Sequence, residues 1–169
     1  MNKIDNKETT ERIKMTDFAT TLWIPIKDTD PRAVALYRQH YSCRDPLKKF
    51  TRYGFSGQGQ SLTLITLDCK ALFGWIFNKI ERMDKQTGIN CFVFRNTSDI
   101  LSSTLILDAE QWALAKWGNK RLFTYVNPLK ISTPEKHYRK LKEAGYCFIK
   151  AGWKQCGKSK SGLIILEKF

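Results

Sequence analysis

Apolar and polar positions fall in blocks along the chain, and each block has the length and period of one structural element. Leu22-Trp23-Ile24-Pro25-Ile26 is a short apolar run and predicts a first strand. Asp30 then stands as an N-cap before Pro31 at the first helical position. Val34, Tyr37 and Tyr41 follow on one face, predicting a helix over about 31–42. Residues 43–60 are basic and carry Gly54, Gly57 and Gly59, so they predict a loop and a candidate substrate lip. The apolar runs 62–67 and 71–77 flank Asp68-Cys69-Lys70 and predict a hairpin or two adjacent strands. Residues 79–88 form a charged turn. The run 89–94 is almost wholly apolar, the pattern of a central strand buried on both faces, and it stops abruptly at Arg95-Asn96.

The second half continues the alternation. Leu105, Ala109, Trp112 and Ala113 at helical spacing predict a helix from Ser102-Ser103, either serine being a suitable cap, to Trp117, with Gly118-Asn119 as its stop. A strand over 122–126 closes at Asn127-Pro128. Thr133-Pro134-Glu135 opens a further helix running towards Ala151 and ending at Gly152. Two strands, 153–157 and 163–166, surround a basic turn. This order predicts an α/β fold with one mixed sheet and helices on its faces. Residues 1–16 are polar and unpatterned and are expected to be a tail, leaving 17–169 as a single domain.

Composition narrows the class. Hydrophobic residues make up 42% of the chain, too much apolar surface for a disordered one. No apolar run approaches the ~20 residues that span a bilayer, and Met1 to Lys14 is unlike a signal peptide, so no membrane partner and a cytoplasmic location are expected. The five cysteines are odd in number and include no C-x-x-C pair, which predicts reduced thiols, mostly in the core, and no metal site. Net charge is +13, and residues 111–169 hold 13 Lys+Arg against 3 Asp+Glu. Such a basic half suits a polyanionic partner or, equally, a plain solvated face.

Arg95 leaves a buried strand at the place where α/β sheets put their ligands, and a guanidinium there can grip a carboxylate or phosphate bidentately. Asp68, Asp99 and Asp108 are each able to act as a base, with nothing in their spacing to select one. His40 and His137 have no metal-ligand partner nearby in sequence and are read as structural.

The element order resembles the GNAT acyltransferase fold. Five segments together are more specific: His40-Tyr41-Ser42, Phe94-Arg95-Asn96, Leu101-Ser102-Ser103, Tyr125-Val126-Asn127-Pro128, and Gly145-Tyr146-Cys147-Phe148 through Gly152-Trp153. From about residue 22 to 168 they resemble the Mom family of phage DNA-modification proteins. That resemblance implies a transferase converting adenine in double-stranded DNA to an N6-carbamoylmethyl derivative, shielding phage DNA from restriction in an infected or prophage-carrying cell. It implies functional roles for Arg95 and Tyr41, and for Thr124 and Tyr125 on the strand opposite Arg95. Asn96, Ser102, Ser103 and Asn127 become candidate cofactor contacts, with acetyl-CoA or another acyl-CoA as a conceivable cofactor held by backbone N–H groups at a helix start.

Two positions depart from the GNAT pattern: Phe148 stands where many of these enzymes have a proton-donating Tyr, and residues 95–103 contain no glycine for a pyrophosphate loop. On DNA, Arg52, Arg139, Lys140, Lys154, Lys158 and Lys160 would contact phosphates, and Tyr53 and Phe55 would stack on an extruded base. Two alternatives stay open: a CoA-dependent N-acyltransferase for a small amine or protein, and a non-catalytic DNA-binding protein of the same fold.

Overall fold

The computed structural model describes residues 21–80, 82–130 and 144–169. They form one seven-stranded mixed sheet with three helices. In chain order the elements are β1 (Trp23–Ile26), α1 (Pro31–Arg38), β2 (Gln60–Thr66), β3 (Ala71–Phe77), β4 (Ile89–Asn96), α2 (Ser102–Trp117), β5 (Leu122–Val126), α3 (Tyr146–Lys150), β6 (Lys154–Lys158) and β7 (Ile164–Lys168). Across the sheet the order is β1-β2-β3-β4-β5-β7-β6, and β4 with β5 is a parallel pair among antiparallel neighbours. The α/β mixed sheet expected from the sequence is present. The tail expected over 1–16 lies outside the described residues.

Alternation along the strands separates two cores. Leu64, Phe73 and Trp75 meet Leu105, Ile106 and Ala109 of α2 and Phe148 of α3 on one face. Ile65, Leu72 and Val93 meet Ala33, Val34 and Leu36 of α1 on the other. The indoles of Trp23 and Trp75 reach across the first core to donate to the Leu105 and Ala109 carbonyls at 2.9 and 3.0 Å. A second tie lies on the same α2 side of the sheet: Glu110, 3% exposed, accepts from Trp153 Nε1 and from Lys168 Nζ, each at 2.6 Å.

Three helix boundaries differ from expectation. Asp30 does cap α1, accepting from Arg32 N–H at 2.9 Å, but the helix ends at Arg38 rather than about 42, because residues 39–42 turn away towards β4. Neither Ser102 nor Ser103 caps α2: Leu101 is the N-cap, and the Ser102 hydroxyl accepts from Asn96 instead. The helix expected from 133 to 151 is not continuous. Gly145 has φ +82°, a left-handed backbone that stops a helix, and α3 begins only after it; residues 131–143 lie outside the described part. A Cβ at Gly145 would also lie 2.5 Å from Leu166 Cδ1, so glycine is required there twice over.

The cysteines differ too. Cys91 alone is buried, Cys156 is exposed, and the other three are intermediate. Cys147 and Cys69 pack against the edges of the α2 and α1 cores, whereas Cys156 lies on the edge strand β6 and Cys43 in a turn.

Candidate functional site

The site is built by an irregularity in β4. Trp75 pairs with Cys91 and Gly74 with Val93, so Phe92 is an extra residue in the β4 ladder. Gly74 permits this: a Cβ there would lie 2.5 Å from the Phe92 ring and 2.6 Å from Val93 Cγ1. The extra residue changes which face each later side chain takes. Ile89 and Cys91 belong to the α2 core, whereas Val93 belongs to the α1 core, and Arg95, two residues on, reaches the end of α1.

Pairing between β4 and β5 stops at the same point. Their parallel ladder runs Ile89–Leu122, Asn90–Phe123 and Cys91–Thr124, after which both strands continue without pairing. The Thr124 hydroxyl donates to the Cys91 carbonyl at 2.8 Å and closes the ladder. Beyond this rung the two strands form a fork.

The segment Gln39-His40-Tyr41-Ser42 occupies the fork. Arg95 Nη1 and Nη2 donate to the Gln39 carbonyl and to Gln39 Oε1, both at 3.0 Å, while Arg95 Nε is enclosed with no hydrogen-bond partner. His40 Nδ1 accepts from the Ser42 N–H at 3.2 Å, which leaves Nε2 as the protonated nitrogen, towards the Phe94 backbone. Burial, reinforced by the Arg95 charge, lowers the His40 pKa to about 4, so the ring is neutral at pH 7. Tyr41 lies against the His40 ring, centroids 4.3 Å apart, with its hydroxyl near the Asn127 backbone and the thiols of Cys91 and Cys147. Burial of that hydroxyl end raises its pKa, although the residue as a whole is 43% exposed. Burial likewise raises Cys91 and Cys147, which keeps both as thiols.

Arg95, Tyr41 and Thr124 are therefore brought to one fork. Tyr125 is not. It points to the face opposite Thr124, where its hydroxyl donates to Asp84 Oδ2 at 2.7 Å, and burial followed by that carboxylate pushes its pKa to about 12. Strand alternation forbids Thr124 and Tyr125 from serving one site side by side.

The candidate cofactor residues are mostly occupied by their own loop. Asn96 Nδ2 donates to the Ile100 carbonyl at 2.7 Å and to the Ser102 hydroxyl at 3.0 Å, and its Oδ1 accepts from Ser98 N–H and Oγ. Asn127 Oδ1 accepts from Leu129 N–H and shapes the turn after β5. An acyl-CoA pyrophosphate would find the N–H groups of Ser102 and Ser103 at the start of α2, but the loop before them is filled by the Asn96 side chain. The residues present do not form an open cradle for that group. Phe148, where a proton donor would be expected, is a core ring packed between Phe94 and Trp153.

Other candidates disperse. Phe55 is buried and stacked on Tyr37 at 4.4 Å, so it is not free to hold a base; Tyr53 is 74% exposed beneath Arg52. Asp108 accepts from Leu22 N–H and Thr21, and Asp68 shapes the β2–β3 turn. Lys154 and Lys158 lie on the edge strand β6 and Lys160 in the turn after it, all exposed, a placement that also guards a sheet edge against pairing. Arg139, Lys140 and His137 lie outside the described residues.

The fork can orient an anion through Arg95 and donate one hydrogen bond from a neutral phenol. Among the described residues, no carboxylate is hydrogen-bonded to Arg95, His40 or Tyr41. Gln39 and Cys147 escaped sequence reasoning. Gln39 read as one more helical position, and Cys147 as a packing residue. Their only signal was adjacency to His40-Tyr41 and to Phe148. No protein-family model, curated protein or solved structure matches this chain.

Proposed function

We propose that this chain is a transferase placing a carbamoylmethyl-type group on N6 of adenine in double-stranded DNA. The observation that supports it best is the fork: a parallel strand pair that stops pairing after three rungs, with a guanidinium and a phenol in the opening. The Gln39 carbonyl and Oε1 stand in for the two oxygens of an anionic donor group, since a carboxylate presents the same paired acceptors to an arginine. Gln39 yields Arg95 when the donor binds, and Tyr41 then hydrogen-bonds donor or base. The donor is not an acyl-CoA held in a pyrophosphate loop.

The net charge of +13 suits the polyanionic substrate, with Lys154, Lys158 and Lys160 as phosphate contacts. In the same reading the enzyme works in the cytoplasm of a phage-infected or prophage-carrying bacterium. No helix among the described residues is long and apolar enough to cross a membrane. The test is mass spectrometry of nucleosides from DNA of cells producing the protein. Deoxyadenosine heavier by one carbamoylmethyl group is expected, and unmodified deoxyadenosine would refute the reading.

A further inference from the structure

At the end of the sheet away from the fork, where β1 stops and β2 starts, a cavity of about 590 Å³ opens between the β1–α1 turn, the glycine-bearing loop and α2. Lys27, Arg52 and Lys116 reach it from these three elements, and Thr29, Thr51 and Thr63 are also among its lining residues. None of the three cations has an ion pair or a hydrogen-bonded side-chain partner among the described residues; Arg52 and Lys116 only overlie the adjacent rings of Tyr53 and Trp117. Thr63 is 3% exposed, and its hydroxyl has no hydrogen-bond partner. A buried hydroxyl without a partner costs stability, so its presence beside the cavity calls for an explanation.

The carboxylate in this neighbourhood is turned elsewhere. Asp28 accepts from the Ser56 N–H and the Ser56 hydroxyl, which ties the loop back onto the end of β1. Gly54 makes that possible, because a Cβ there would lie 1.9 Å from Asp28 Cγ. Three cations against one engaged carboxylate leave a surplus of about two positive charges, and a phosphate monoester carries roughly −1.5 to −2 at neutral pH. A second cavity, about 440 Å³, shares Thr29 and Thr51 with the first and is lined by Pro31, Val34 and Phe50 together with Arg38 and Lys49. The cationic cavity thus adjoins one that offers an apolar wall, Val34 and Phe50, beside two further basic residues.

We propose that these joined cavities bind a small phosphorylated molecule, its phosphate held by Lys27, Arg52, Lys116 and the threonine hydroxyls and its organic part laid over Val34 and Phe50. Such a volume is ordinary for a small-molecule site. A duplex presents its phosphates on a convex surface and would touch only the mouth.

The probe is adenosine 5′-monophosphate, titrated into the full chain by calorimetry beside inorganic phosphate, adenosine and a short DNA duplex. The nucleotide binds, inorganic phosphate binds more weakly, and adenosine does not bind. Arg52→Ala and Lys116→Ala, both at exposed positions, each weaken the nucleotide about tenfold, the scale of one charge-assisted hydrogen bond. Thr63→Val also weakens it while leaving the melting temperature unchanged or raised. Absence of nucleotide binding would overturn the proposal, as would adenosine binding as tightly as the nucleotide or affinity indifferent to both cation variants. Duplex that displaces the nucleotide from this site would also overturn it, in favour of a nucleic-acid backbone contact.

Discussion

The Thr124 hydroxyl donates to the Cys91 carbonyl at 2.8 Å, at the last rung before β4 and β5 part. Both residues are buried, at 4% and 3% exposure, so the carbonyl has no water to fall back on. Thr124→Val keeps the shape and removes the donor. It is expected to lower unfolding free energy by about 1–3 kcal/mol, the cost of leaving a buried acceptor unpaired, whereas Thr124→Ser keeps most of it. Denaturant titration decides; equal stability of the Val and Ser variants would show that the fork does not depend on this bond.

His40 gives the fold an acid-sensitive point. Its pKa falls from an ordinary 6.5 to about 4 in the folded chain, chiefly through burial, so between these values the unfolded chain binds the extra proton. The stabilisation from a neutral His40 is complete above about pH 6.5 and is lost as pH drops towards 4. Discounted for partial exposure, this amounts to about 2 kcal/mol. Asp30, held at about 2 by its bonds to Arg32, titrates below this window, whereas Glu167, lowered from 4.5 chiefly by its bond from Arg121, adds to the slope at the acid end in wild type and variant alike. In His40→Gln the slope of stability between pH 4 and 6.5 flattens; an unchanged slope would assign the acid sensitivity elsewhere.

Glu110 and Lys168 are unequal partners. The Glu110 side chain is 4% exposed and the Lys168 side chain 26%, so Lys168 can reach water and Glu110 cannot. Lys168→Met strands a buried carboxylate and is expected to cost about 3 kcal/mol. Glu110→Gln keeps an acceptor for Trp153, leaves Lys168 to solvent, and should cost about 1 kcal/mol. Thermal melting of both variants compares them; a larger loss in Glu110→Gln would contradict this account.

Element type was legible in the sequence because strand and helix periods are local, and every predicted strand is present. The phase of β4 was not. The run from Ile89 to Phe94 is apolar on both faces, so inserting Phe92 as an extra residue leaves no polar position out of step, and the face taken by Arg95 depends on it. Only Gly74, on the neighbouring strand, hints at the close approach. Arg95, Tyr41 and Thr124 meet at one fork, but Gln39 as the partner of Arg95 depends on where α1 ends. Tyr125, expected on the same strand as Thr124, faces away from it, as period-two alternation dictates. The bonds within the loop 96–102 arise from side chains folding back locally, which spacing does not reveal.

The central claim is that Arg95 holds an anionic donor and that Gln39 occupies its place in the free chain. Modified deoxyadenosine is quantified in DNA from cells producing wild type, Arg95→Ala, Arg95→Lys or Gln39→Ala, with melting temperatures measured on the purified proteins. Losing two charge-assisted bonds to the donor predicts about a hundredfold drop in Arg95→Ala. Arg95→Lys rescues little, because lysine lacks the fork. Gln39→Ala retains or raises modification, since it frees the guanidinium, and all four proteins melt within a few degrees of one another. Near-wild-type modification by Arg95→Ala, or its loss in Gln39→Ala at unchanged stability, would contradict the account.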